Sequence, residues 1–159
     1  MMSIAWGLKI GNSVTYIGSP KILQTFLLTI HRELETQGWG SRFPLLLNDL
    51  YVSGKIAGDK GKLLKNEMDV VRSEFASSSP DDVIWILNKE IVPAGIFNSN
   101  ASDLTEYFVT QADVNLIDIL IRRSDRMIKE QKDIEITEVP APNLDGKVEY
   151  HLGTKSKEQ

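Results

Sequence analysis

The chain has 159 residues, 42% of them hydrophobic and 25% charged, with a formal net charge of −4 and a pI near 5.2. That length suits one domain with a real core, and the acidic balance argues against non-specific nucleic-acid binding, which needs a basic surface to neutralise phosphates. There is no cysteine and there are two histidines, His31 and His151, so disulfides, thiolate catalysis and cysteine–zinc sites are excluded and a multi-histidine metal site is not expected.

Residues 1–9 lack both a basic n-region and an apolar h-region, so no signal peptide is expected. No apolar run approaches the roughly 18–20 residues needed to cross a bilayer. The expectation is a cytoplasmic protein without a membrane partner. Ile4, Trp6, Leu8 and Ile10 alternate with Ala5, Gly7 and Lys9, which predicts a strand over residues 3–10. Gly11-Asn12 supplies a tight turn, and residues 13–17 return as the second arm of a hairpin.

Ser19-Pro20 opens a helix, since serine caps free N–H groups and proline tolerates the first position. Leu23, Phe26, Leu27, Ile30 and Leu34 carry its apolar stripe, and Gly38 ends it. Gly38-Trp39-Gly40-Ser41-Arg42-Phe43-Pro44 then reads as a rigid aromatic corner. Trp39 and Phe43 are expected in the core, where Trp39→Ala would cost about 3–5 kcal/mol. Arg42 is expected to brace the corner through backbone carbonyls or a buried acid; the alternative is a planar fork offered to a partner. His31 borders the apolar face of its helix and reads as a buried or half-buried structural histidine.

Phe43–Tyr51 predicts a short helix ending before Gly54. A third helix is expected from about Asp59 to Ala76, with Leu64, Met68, Val71 and Phe75 inward and Asp59 as candidate N-cap. Gly58-Asp59-Lys60-Gly61-Lys62 looks like a phosphate loop only at first sight. A P-loop has four residues before Gly-Lys and then Ser or Thr, whereas here two residues separate the glycines and Leu63 follows Lys62.

Ser77–Pro80 is a connector, and Val83–Leu87 reads as a buried strand. The adjacent carboxylates of Asp81 and Asp82 suit a turn or a partner contact; acid–base chemistry needs carboxyls that converge from defined positions. Ser102–Glu106 resembles a capping box. The longest helix is expected from about Ala112 to Lys132, with Val114, Ile117, Leu120, Ile121 and Ile128 inward and charges outward. Ile134–Val139 alternates as an edge strand. Residues 140–159 are expected to form an extended or partly disordered tail, with Val148–Leu152 able to pair as one more strand. The whole predicts a single α+β domain over residues 1–139: a small antiparallel or mixed sheet with about four helices on one face.

Charge is uneven. Residues 101–140 hold five basic and nine acidic side chains, a balance of −4 that equals the net charge of the chain. A solvated helix face with internal ion pairs accounts for this, as does an acidic docking patch for a basic partner.

Gly40-Ser41-Arg42-Phe43-Pro44 followed by Leu47-Asn48-Asp49-Leu50-Tyr51 resembles the signature region of immunity protein family 70 of bacterial polymorphic toxin systems. Gly7-Leu8-Lys9-Ile10-Gly11, Tyr16-Ile17-Gly18-Ser19-Pro20, Pro80-Asp81-Asp82-Val83-Ile84-Trp85 and the Asp103–Thr110 stretch fit the same pattern. The similarity spans about residues 4–138, is looser over 88–100, and leaves out the tail. It implies a cytoplasmic antidote that covers the toxic C-terminal domain of a cognate secreted or contact-delivered toxin, with no catalysis, cofactor or metal. If that toxin is a nuclease, its cleft is basic. Asp81, Asp82, Asp103, Glu106 and Asp113, with Arg42, are then the expected partner-binding residues. The family pattern itself assigns no toxin contacts. A small hydrolase assembled from dispersed Ser, His and acidic residues, or a regulatory or scaffold module, stands as the alternative, and a deep pocket with perturbed pKa values would mark the enzyme. The sequence leaves monomer or homodimer open.

Overall fold

In the computed structural model, which describes residues 4–83, 97–140 and 149–151, the alternating apolar segments pair into one antiparallel sheet. Strands β1 (Ile4–Ile10) and β2 (Ser13–Gly18) form the expected hairpin. Strand β3 (Lys55–Ile56) is only two residues long. Strand β4 (Ile134–Pro140) pairs with β1, and β5 (Glu149–His151) pairs with β2. The spatial order is β3-β4-β1-β2-β5. The predicted edge strand at Ile134–Val139 is therefore interior at its start, where Lys55 and Ile56 lie opposite Glu135 and Ile134. The sequence hides this because so short a strand carries no periodicity. Residues 149–151 do pair as one more strand.

Three helices of 15 residues carry most of the core: α1 (Pro20–Leu34), α2 (Gly61–Phe75) and α4 (Leu116–Glu130). A four-residue helix, α3 (Leu104–Tyr107), and a π-helix (Leu45–Ser53) complete the set of longer turns. Ser19 caps α1 by accepting the Lys21 N–H, with Pro20 just inside. Leu8, Ile10, Leu23, Phe26, Leu64, Met68, Leu120 and Ile134 are among the fully buried residues joining sheet and helices. A smaller cluster of Ala5, Val14, Tyr16 and Val139 is buried on the other side of the strands, as the alternation along β1 requires.

Several local expectations shift. The helix expected over 112–132 begins at Leu116 and is no longer than α1 or α2. Asp113 takes a left-handed φ of 66° and Asn115 caps by accepting the Asp118 N–H, so the preceding residues form a turn. Arg123, expected outward, is 4% exposed; its guanidinium donates to the Leu8 and Ser13 carbonyls and the Ser13 hydroxyl, pinning α4 to the hairpin. Asp59 does not cap α2: it lies in a 3-10 turn, Gly58–Lys60, before the helix proper. The glycines that mimic a phosphate loop are packing contacts. A Cβ on Gly58 would sit 2.6 Å from the Lys132 carbonyl carbon, and one on Gly61 2.9 Å from Met127 Cβ. Helix α2 can approach the end of α4 only because neither has a side chain. Of the strand expected at Val83–Leu87, only Val83 lies within the described residues, where it is buried after a 3-10 turn.

Candidate interaction surface

Helix α1 ends on Glu35, whose side chain is fully buried. The chain then doubles back through left-handed glycines, Gly38 at φ 119° and Gly40 at φ 73°, and wraps around this carboxylate. Glu35 Oε1 accepts the Gly40 N–H at 2.8 Å and lies 2.9 Å from His31 Nδ1. Its Oε2 accepts the Arg42 N–H at 3.1 Å and the Phe43 N–H at 2.9 Å. Burial pushes the Glu35 pKa up, but the bonds from His31, Phe43, Gly40 and Arg42 together outweigh it, and the net shift is downward.

Arg42 braces the corner from outside. It donates to the Leu34 carbonyl at 2.9 Å, forks onto Glu74 at 2.8 and 2.5 Å, and stacks over Phe43. Phe43 is 1% exposed, as expected. The π-helix follows, opened by Pro44 and closed by Gly54 in the left-handed region. Its first N–H groups, those of Leu45 and Leu46, are accepted by the Glu67 carboxylate at 3.1 Å each. Winding of this kind is rare and is frequently found at functional sites.

Glu67 and Glu35 titrate in opposite senses. Burial raises Glu67 from 4.5 to about 7 despite the two N–H donors, with the negative charges of Asp49 and Glu35 adding to the rise. Stability from the protonated Glu67 is present in full at low pH and is lost as pH rises through about 7. Stability from ionised Glu35 is present above the ordinary carboxylate range and lost as pH falls below it. The melting temperature is thus expected to fall between about pH 5 and about pH 7.5, and Glu67→Gln to flatten that slope. Thermal melts across the range check this; an equally steep slope in the variant would assign it to another group.

Trp39 is the main departure at the corner. It is 40% exposed, because the two left-handed glycines carry it to the tip of the reversal. One side of the indole meets the His31 ring at 4.8 Å and the Tyr51 ring at 5.5 Å; the rest faces out. Trp39→Ala is accordingly expected to cost about 1–2 kcal/mol, well short of the figure for a core tryptophan. Beside this row lies a cavity of about 200 Å³ lined by Trp6, Gln24, Leu27, Tyr51 and Ile136. It is smaller than usual small-molecule sites but large enough for a side chain. A second, open depression of about 390 Å³ is lined by Lys9, Gly11, Lys132, Asp133 and Glu135, where Lys9 and Glu135 pair at 3.4 Å. Glu67 lines neither.

Of the acidic residues singled out in the sequence, Asp81 and Asp82 lie in the turn that follows α2, Asp103 and Glu106 at α3, and Asp113 in the turn before α4. Asp81 is exposed in the 3-10 turn Pro80–Asp82, with its N–H donated to Ser79 Oγ. Asp82 shares that turn. Asp103 caps α3 through the Thr105 N–H and also accepts the Thr105 hydroxyl. Glu106 is exposed and accepts the Ser102 N–H, a box displaced by one residue from the expected one. The Leu104 N–H donates to the Ser78 carbonyl and Asn115 Nδ2 to the Thr105 carbonyl, which brings turn, α3 and the Asp113 turn into one neighbourhood. Arg42 reaches its margin through Glu74. Sequence reasoning missed Glu35 and Glu67, because nothing local marks a carboxylate whose partners lie 5 to 22 residues away.

Among the described residues no group of His, Asp and Glu could hold a metal ion, and no helix is long and apolar enough to cross a membrane. Sheet and helices define an α+β domain with a partly exposed tryptophan, Trp39, at the corner that follows α1. The chain belongs to the immunity protein 70 family, whose family model matches residues 8–136. No curated protein and no solved structure matches it.

Proposed function

We propose that the protein neutralises the toxic C-terminal domain of a cognate bacterial polymorphic toxin by occlusion, without chemistry of its own, in the cytoplasm of the producing cell. The match to the immunity protein 70 family over residues 8–136 carries this reading. Two surface features support it. Trp39 offers the kind of half-supported aromatic that anchors protein interfaces. The exposed carboxylates of Asp81, Glu106 and Asp113, with Asp82 next to Asp81 in the chain, Asp103 at the start of α3 and Arg42 on Glu74, suit a basic cleft such as that of a nuclease.

The test is co-expression with the C-terminal domain of the toxin encoded by the gene immediately upstream. Cells should survive, and the two proteins should co-purify. Trp39→Ala is expected to weaken the complex at least about tenfold while the fold persists, the behaviour of an interface anchor. A lethal toxin domain that never co-purifies with the wild-type protein would refute the reading.

A further inference from the structure

Among the described residues the sheet is incomplete on one side. Strand β3 covers β4 only as far as Gly54, whose carbonyl accepts the Ile136 N–H at 2.8 Å. Gly54 cannot return the second bond of that pair, because its own N–H closes the π-helix onto Asp49 and Leu50. Along an antiparallel strand the groups facing a given side recur every second residue. The Ile136 carbonyl and both backbone groups of Glu138 therefore face the side that β3 has vacated, and among the described residues nothing bonds to them. Residues 137–140 keep their pairing to β1 on the other side.

The open edge borders the cavity lined by Trp6, Gln24, Leu27, Tyr51 and Ile136. Glu138 lies directly opposite Trp6, and Ile136 opposite Leu8, so the Glu138 side chain shares a face with two of the cavity's lining residues, Trp6 and Ile136. Glu138 is exposed, as is Ile4 at the same end of the sheet, opposite Pro140. Unpaired groups at a strand's spacing form a template on which another extended backbone can pair.

We infer that this edge of β4 receives an extended segment of the toxin domain, which adds to the sheet beside Glu138, sets a basic side chain against the Glu138 carboxylate and fills the Trp6–Tyr51 cavity with an apolar one. The inference rests on the toxin-binding reading above. A second copy of the chain is a poorer occupant. A two-fold antiparallel pairing centred here would set Glu138 against its own counterpart, and Pro140 brings no N–H to such a ladder.

Hydrogen exchange of the Glu138 amide tests this, in the free protein and in complex with an inactivated C-terminal domain of the adjacent toxin. The amide should exchange freely alone and slow at least about tenfold in the complex, as a newly formed ladder bond requires. Glu138→Pro removes the outward N–H and spares the β1 ladder; Glu138→Lys leaves the backbone intact and reverses the charge. Each should weaken toxin binding at least about tenfold while the melting temperature stays near wild type. If the wild-type complex forms but exchange at Glu138 is unchanged and Glu138→Lys binds as tightly as before, the edge proposal is wrong and the toxin-binding reading stands. If no complex forms, both fall. An amide already protected in the free protein, together with dimeric sedimentation, would give the edge to a second copy and overturn the proposal.

Discussion

Glu35→Ala is expected to destabilise the protein by about 3–5 kcal/mol, the range for removing one partner from a buried charged network. The carboxylate has no exposed surface, and three backbone N–H groups point at it from Gly40, Arg42 and Phe43. Alanine leaves these donors without an acceptor, and the Phe43 N–H lies in the dry core. Each buried donor left unsatisfied costs about 1–3 kcal/mol. For a chain of this length the loss lowers the melting temperature by roughly 10–15 °C. Glu35→Gln keeps one acceptor oxygen and should lose clearly less. Urea titrations of both variants check the order. A Glu35→Ala protein as stable as the parent would mean that the corner holds itself, through Arg42 on Glu74 and the Leu34 carbonyl.

Alternation and helical spacing made the hairpin, α1, the body of α2 and the start of β4 legible. In each the buried side chains recur at the period of the element itself. The misreadings share another cause. Strand β3 is two residues long and exists because β4 offers it a partner. Leu45, Leu46 and Leu47 are all buried, so no amphipathic stripe could announce the π-helix. Trp39 has the apolar area of a core residue, but the left-handed glycines on either side decide where it points. Arg123 looked like one more charge on a solvated helix, yet the carbonyls that receive it belong to residues more than 100 positions earlier. Of the candidate surface, the acidic residues could be named from the sequence. The aromatic row and the open strand edge could not, since both are made by elements that meet only in the folded chain.

Phe108→Ala is expected to cost about 4–5 kcal/mol, near the top of the range for truncating a core aromatic. Phe108 has no exposed surface. Its ring centroid lies 5.1 Å from Phe26, 6.1 Å from Phe75, 5.1 Å from Phe97 and 5.3 Å from Tyr107. Most of these contacts are edge-on, so truncation forfeits favourable ring geometry besides buried area, at about 0.5–1.5 kcal/mol per pair. The cavity cannot close easily, because its walls belong to α1, α2 and the segment around α3, each fixed by other contacts. Phe108→Leu, which refills much of the space, should recover more than half of the loss. The same residue ties α3 to the core: its carbonyl accepts the Leu116 N–H at the start of α4, and α3, with Asp103 and Glu106, immediately precedes it. Hydrogen exchange in Phe108→Ala should therefore quicken first over residues 103–116 and later in the sheet. Uniform exchange across the chain would show instead that the aromatic cluster and the sheet open as one unit.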